Sequence, residues 1–350
     1  MYELPLNMVK YSQVIILSSY RELKAKIIKL GAVQRIPVLG EFELTARCNF
    51  LCPMCYVRDN AVKNELSTGQ WLAIFNEAVN EGLVYALLTG GEPLLRADFS
   101  QLYEHLYDYG VRISVYTNGY QLTEEHLETF RKRPPELIAI TLYGGSDATY
   151  TTVTGMHDGF TKVRGTIKKL KANNLNVACR VIPIPEVYKD LDAILGFVKE
   201  SRLALGYFLY LAPSLNKDYQ GRLSPPALAD FEARIVAALP KTKRSDAADF
   251  DTSTTCAALR SGYAVNHKGY MQPCTLMNHP RKKLEFGKLL ETFRELGDKW
   301  LNMAASQDCM SCSIRSSCIP CPARRHLEGD HAKCAPYLRA FAKERKKTDD

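Results

Sequence analysis

Eleven cysteines stand at positions 48, 52, 55, 179, 256, 274, 309, 312, 318, 321 and 334, and seven of them fall in two tight groups. The count is odd, the chain has 350 residues, and its start, MYELPLNMVKYSQ, lacks the basic-then-apolar layout of a secretory signal. Metal ligation therefore explains these thiols better than a disulfide scaffold. Cys48, Cys52 and Cys55 lie in ARCNFLCPMCYV, with three and then two residues between them. Three thiolates so spaced can hold three irons of a cubane [4Fe–4S] cluster and leave the fourth iron open to a substrate. Zinc wants four ligands, or three plus water, normally including His. The nearest histidine here, His105, follows two expected helices later.

A second group of residues suits ligand contact. Gly90-Gly91-Glu92-Pro93 offers two glycines that allow close backbone approach, a carboxylate that can accept from an ammonium, and a proline that fixes the exit. Thr117-Asn118-Gly119 is either a capped turn or a further contact. Arg180 alternates with Cys179, so one points into the fold's interior arc and the other away. An inward Arg180 pairs with a ligand carboxylate or with a structural one. Cys179, in an expected core strand, reads as a small hydrophobe.

These residues need strand ends to position them. Phe42, Leu44 and Ala46 interleave with Glu43, Thr45 and Arg47, which predicts a half-buried strand running into the cysteine loop. Further strands are expected over 84–90, 111–117, 137–143, 177–183 and 206–212, each preceded by a helical segment. Ser67 with Gln70 predicts a capping box, Asp98 and Thr123 predict N-caps, and Phe160, Val163, Ile167 and Leu170 share a helix face. Strict alternation implies a parallel sheet with right-handed crossovers, whose carboxyl edge carries the chemistry. A complete eight-unit barrel takes about 250 residues, whereas the alternation here fades near Pro213. The expectation is an α/β chain: a helical extension over 1–40 (helix from about 14 to 30), a partial (β/α)6 TIM-like barrel over 41–243 ending in a helix from 223, and a cysteine-rich domain over 244–350 held by metal rather than by a large core.

The cysteine loop followed by an aromatic, GGEP after the second strand and TNG after the third together resemble the radical S-adenosylmethionine (SAM) enzymes. The resemblance implies that Cys48, Cys52 and Cys55 hold the SAM-binding cluster, that Gly90, Gly91, Glu92 and Pro93 meet the methionine amino group, and that Asn118 and Arg180 are further SAM contacts. Strand four departs from the peptide-modifying members, running into Thr141-Leu142-Tyr143-Gly144-Gly145, with His157-Asp158 lacking a following Arg. The ribose contact is left open. In the C-terminal part only five residues separate Cys312 from Cys318, too few for a four-cysteine zinc ribbon. The set resembles the SPASM extension with two auxiliary [4Fe–4S] clusters: Cys256, Cys274 and Cys321 for the first, Cys309, Cys312, Cys318 and Cys334 for the second. Two residues rather than the usual three separate Cys318 from Cys321, and no fourth cysteine lies between Cys256 and Cys274. The first auxiliary cluster therefore has an open iron or a different ligand.

The resemblance implies an oxidoreductase that cleaves SAM to methionine and a 5′-deoxyadenosyl radical, takes hydrogen from a substrate C–H bond, and removes a second electron through the auxiliary clusters. The favoured substrate is a peptide or protein, crosslinked or oxidised at a side chain; the alternative is dehydrogenation or epimerisation of a small molecule such as an amino sugar. A donor such as flavodoxin or ferredoxin is expected. The roughly 40 residues ahead of the first strand are too few for the winged-helix reader of many peptide maturases, so such a reader would be a separate chain. With 46% hydrophobic and 24% charged residues the chain is not disordered, and no stretch reaches the length of a membrane span. A cytoplasmic protein is expected. Its net charge of +8, partly from the tail RAFAKERKK, reads as a solvated face and not as a nucleic-acid site. The bond formed, the quenching residue and the oligomeric state are not legible.

Overall fold

The computed structural model describes residues 19–347 except 60, 213–220, 240–255, 305–306, 319–320 and 331. All nine residues of the basic tail fall inside it; the expected domain boundary at 243, and residues 14–18 of the expected first helix, lie outside. Within the described residues the first helix is Tyr20–Gln34, stopped where Arg35 turns left-handed at φ 56°.

Six strands form the parallel core: β1 (Leu39–Glu43), β2 (Tyr85–Thr89), β3 (Arg112–Thr117), β4 (Leu137–Leu142), β5 (Val177–Val181) and β6 (Ala204–Tyr207). Helices connect them, as the alternation requires for a partial (β/α)6 barrel. The sheet does not end there. Beyond β1 it continues with β7 (Gly262–Val265), parallel to β1, then β8 (Tyr270–Gln272) and β9 (Lys282–Lys283), both antiparallel.

That extension corrects the expectation for the first strand. β1 is paired on both edges, to β2 and to β7, so it is central and buried on both faces. Phe42, Leu44 and Ala46 are inaccessible, as alternation predicts, yet Glu43 and Thr45 are buried too. The last parallel strand of the barrel ends before 212 because β5, its partner among the described residues, ends at Val181, whose carbonyl accepts from Phe208 N at 3.2 Å.

One face of the sheet packs on helices through Ala86, Leu88, Ile113, Val115, Ile138, Ile140 and Cys179. Phe42 anchors this layer, its ring 5.0 Å from Phe75 and 6.1 Å from Trp71. Ser67 and Gln70 form the expected capping box of helix Thr68–Asn80, and Thr123 caps Glu124–Lys132. Asp98 does not cap its helix with its side chain; its carboxylate is taken by Arg96 and Thr68. Val163, Ile167 and Leu170 are buried on the helix Gly159–Ala172, with Phe160 packed against them.

The C-terminal segment shares this core rather than doing without one: Tyr263, Val265, Met271, Phe293, Leu296 and Trp300 belong to the same apolar cluster. Nor is the basic tail simply a solvated face. In helix Pro336–Lys347, Leu338, Phe341 and Ala342 are buried. Arg345 is buried as well and makes a bidentate pair with Glu232 of helix Pro225–Ala238, at 2.7 and 2.9 Å. No helix among the described residues is long and apolar enough to cross a membrane.

Candidate functional site

The cysteine loop leaves the carboxyl end of β1, and neighbouring residues fix that end. The Glu65 carboxylate accepts from Thr45 Oγ1 (2.8 Å), Ala46 N (2.7 Å) and Arg47 Nη2 (3.2 Å). Buried Arg96 donates to the carbonyls of Leu44 (2.9 Å) and Leu66 (3.3 Å) while Asp98 neutralises it. Neither Glu65 nor Arg96 stands out in the sequence, although Arg96 lies three residues past the GGEP stretch.

Cys48, Cys52 and Cys55 are held close together. Cys48 Sγ accepts from Phe50 N (3.4 Å) and Asn118 Nδ2 (3.7 Å), and Cys55 Sγ from Arg58 N (3.2 Å). Phe50 sits in a nest of Tyr120, Tyr143 and Tyr150, with ring centroids 5.7 to 6.3 Å away. Burial, with the neighbouring thiols adding to it, pushes Cys48 and Cys52 up to about 12. As thiolates these groups need a cation, which is what a cluster's irons supply. Among the described residues no three His, Cys, Asp or Glu side chains converge as ligands of one metal ion. A cubane asks for a wider set, since each cysteine binds a different iron.

Gly90 and Gly91 make a close approach, but to backbone. Gly91 N donates to Thr45 O at 2.7 Å, and a Cβ at Gly90 or Gly91 would lie 2.4 Å from Thr45 O or 2.2 Å from Arg47 O. Here the glycines let β2's exit lie against the stem of the cysteine loop. Glu92 is fully buried and receives three donors: Thr117 Oγ1 (2.7 Å), Asn118 N (2.7 Å) and Leu94 N (3.1 Å). It clamps the edge of β2 to that of β3, with Pro93 opening the short turn Pro93–Leu95. Burial raises its carboxyl to about 7 despite those donors. Asn118 both caps and reaches: its Oδ1 accepts from Tyr120 N (2.9 Å) and its Nδ2 donates to Asn49 Oδ1 (2.8 Å).

The opposite face of the sheet is polar. Glu41 and Glu43 on β1, Ser114 and Tyr116 on β3, and Arg180 on β5 point away from the helices, while Cys179 points towards them. Arg180 is sandwiched by Tyr116 and Phe208, 4.0 and 4.3 Å from their ring centroids. Among the described residues no carboxylate lies within ion-pair distance of it, so a structural salt bridge does not hold it. At strand four Gly145 N donates to Asp190 Oδ2 at 2.5 Å, and Asp158 takes Tyr120 Oη at 2.8 Å. A cavity of about 360 Å³ opens on this face, lined by Glu41, Leu87, Ser114, Tyr116, Cys256 and Cys274, among others.

Six of the seven C-terminal thiols fall into two groups. Burial pushes Cys256 up to about 11, with Cys321 adding to it, and raises Cys274 well above its ordinary value, with Glu41, Cys321 and Cys256 adding. Cys334 is raised by burial and by Cys309 and Cys312. Cys318, at the end of the turn Arg315–Ser317, is partly buried.

Comparison with known proteins agrees with this geometry. The chain is 26% identical over 203 residues to the AdoMet-dependent heme synthase of Methanosarcina barkeri, covering 57% of each chain. To the sporulation killing factor maturation protein SkfB of Bacillus subtilis it is 24% identical over 258 residues, 70% of this chain and 62% of that one. The chain thus spans less than two thirds of the length of these curated relatives. Streptococcus suis SuiB bound to S-adenosylmethionine has the same fold, with a TM-score of 0.69 at 14% identity over 93% of this chain and 84% of that one. The Radical SAM superfamily profile matches residues 42–198, from β1 through the helix after β5. The cysteine loop, the GGEP exit and strands β2 to β5 all lie inside that span, and they identify this part of the chain as a radical SAM domain.

Proposed function

We propose that this enzyme carries out an oxidative modification of a peptide or protein, a crosslink or a side-chain oxidation, using three iron–sulfur clusters. The radical SAM domain implies a [4Fe–4S] cluster and SAM. The proposal assigns that cluster to Cys48, Cys52 and Cys55, the first auxiliary cluster to Cys256, Cys274 and Cys321, and the second to Cys309, Cys312, Cys318 and Cys334. What supports it is that Cys48, Cys52 and Cys55 share one loop at the barrel edge, that Cys256 and Cys274 line one cavity with Cys321 near them, and that Cys309 and Cys312 neighbour Cys334.

When bound, the first cluster supplies an electron and an open coordination position for cleavage of SAM to the 5′-deoxyadenosyl radical. The chain's own residues do the rest. Glu65, Arg96 and Asn118 orient the loop, the Phe50 nest excludes water beneath it, and Gly90, Gly91 and Pro93 shape the strand edge where the methionine moiety would lie. Arg180, held flat between two rings and with no ion-paired carboxylate among the described residues, would pair with a carboxylate of SAM or substrate. A peptide substrate is favoured because SkfB is named as a maturation protein and SuiB has been solved with its precursor peptide SuiA. An amino sugar or other small molecule is the alternative. Reduction by a flavodoxin or ferredoxin and a cytoplasmic location complete the proposal.

Anaerobic incubation with SAM and candidate substrates deuterated at the target position tests it. Deuterium from a peptide appearing in 5′-deoxyadenosine supports the proposal. Transfer only from a sugar supports the alternative.

A further inference from the structure

The proposed first auxiliary site has three thiols, and the described fold leaves no cysteine to be the fourth ligand. Seven of the other eight belong to the two remaining groups, and the eighth, Cys179, is fully buried on the helix-packed face of β5. The site is instead built against β1. β7 pairs with β1 in parallel, Leu39 opposite Gly262 and Glu41 opposite Ala264. The turn before β7 closes through Gly262 N to Ala257 O (2.8 Å) and Ser261 N to Ala257 O (3.0 Å), which brings Cys256 alongside the start of β1. β8 then returns antiparallel, and Cys274 follows it by two residues. Thr275, the next residue, donates its amide to Glu41 Oε2 at 3.1 Å. Glu41, Cys256 and Cys274 line one cavity.

We propose that the Glu41 carboxylate is the fourth, non-cysteine ligand of the first auxiliary cluster, completing a three-cysteine, one-glutamate site. Strand pairing and the Thr275 amide aim this side chain at the thiols, and a carboxylate is a competent iron ligand. The cluster is then closed, so its iron passes electrons rather than binding substrate, and its potential is set partly by a hard oxygen donor. The inference rests on the assignment of Cys256, Cys274 and Cys321 to a cubane.

The test uses the full chain, reconstituted anaerobically, with Cys48, Cys52 and Cys55 replaced by Ala so that only auxiliary clusters remain. Iron is counted first. About eight irons per chain is the expected value; about four, or zinc in their place, overturns the assignment and with it this inference. The reduced protein is then exposed to ¹³C-cyanide and read by hyperfine spectroscopy. With Glu41 present no ¹³C coupling is expected, whereas Glu41→Ala opens an iron and the coupling appears. Glu41→Cys retains a ligand if the Ala variant fails to fold. It is expected to keep its iron, stay closed to cyanide and shift the g values of the reduced cluster. With the iron count intact, three results overturn the ligand alone: cyanide binding by the Glu41 protein, no binding by Glu41→Ala, or unchanged g values in Glu41→Cys.

Discussion

The two ends of the chain solve the same problem by different means. Cys48, Cys52 and Cys55 hang from the end of a central strand, and the loop's stem is fixed by contacts with Glu65, Arg96 and the Gly90–Gly91 backbone. Cys309, Cys312, Cys318 and Cys334 sit on turns and short helices, where Cys334 N is held by Asp308 Oδ2 at 3.2 Å. The first design uses core packing to position thiols; under the proposed cluster assignment, the second leaves most of the positioning to iron. A site that must hold a radical precursor in one orientation gains from the first. One that only moves electrons tolerates the second.

The largest expected effects break that comparison most directly. Replacing Cys48, Cys52 or Cys55 with Ala is expected to abolish 5′-deoxyadenosine and product while the barrel stays folded, since these thiols are small members at the margin of a core built mainly by the strands and helices. Replacing Cys309, Cys312, Cys318 or Cys334 is expected to leave some SAM cleavage, uncoupled from product, with the segment beyond 305 losing hydrogen-exchange protection. Chelation of iron from the native protein should abolish SAM cleavage and remove protection from that segment while the barrel keeps its own. Wild-type product formation in a Cys312→Ala variant would make the second auxiliary cluster purely structural.

Next comes the pair that ties the C-terminal helix to the barrel. Arg345 and Glu232 are 4% and 0% exposed. Breaking a buried pair by removing one partner costs about 3–5 kcal/mol. Arg345→Met is expected to lower stability by that amount in urea unfolding of the reconstituted protein. A loss under 1 kcal/mol would mean that iron, and not this contact, holds the helix in place.

What the sequence disclosed follows the same divide. Four strands, β2 to β5, lie within two residues of their expected bounds, because parallel strands bounded by turn residues carry a local signal. β1 itself was misread as half-buried since its second neighbour, β7, comes more than 200 residues later and leaves no mark on residues 39–47. The cysteines were legible by type and spacing. Glu65, Arg96 and Glu41 were not, because their importance lies in what the fold brings beside them. The glycines of GGEP were visible, but the spacing could not tell approach to a ligand from approach to the backbone of Thr45 and Arg47.

Glu92 offers a sharper test of what the barrel edge does unaided. Its carboxyl, ordinarily at 4.5, rises to about 7 through burial. Between these values the folded state binds the proton more tightly than the unfolded one, so stability is greatest at the acid end and declines as pH rises. The contribution is up to roughly 1.4 kcal/mol per pH unit. Glu92→Gln removes that part of the slope, read as the difference between variant and wild type in urea unfolding from pH 4.5 to 7. An unchanged slope together with lost SAM binding would instead place the carboxylate on the methionine amino group.

The smallest effect isolates local structure from metal. Ser67 Oγ accepts from Gln70 N at 3.3 Å while Gln70 Oε1 accepts from Ser67 N at 2.9 Å, closing the start of helix Thr68–Asn80. By contrast, helix Pro322–Leu327 begins at Cys321, a residue the proposal gives to a cluster, with no side-chain cap hydrogen bond. Removing an N-cap hydroxyl costs about 1 kcal/mol. Ser67→Ala should cost that much in both the iron-free and the reconstituted protein, because the cap and the metal act on different parts of the chain. A cost that appears only when iron is bound would mean that the barrel helix is not folded without it, and the contrast between a preformed edge and a metal-shaped domain would fail.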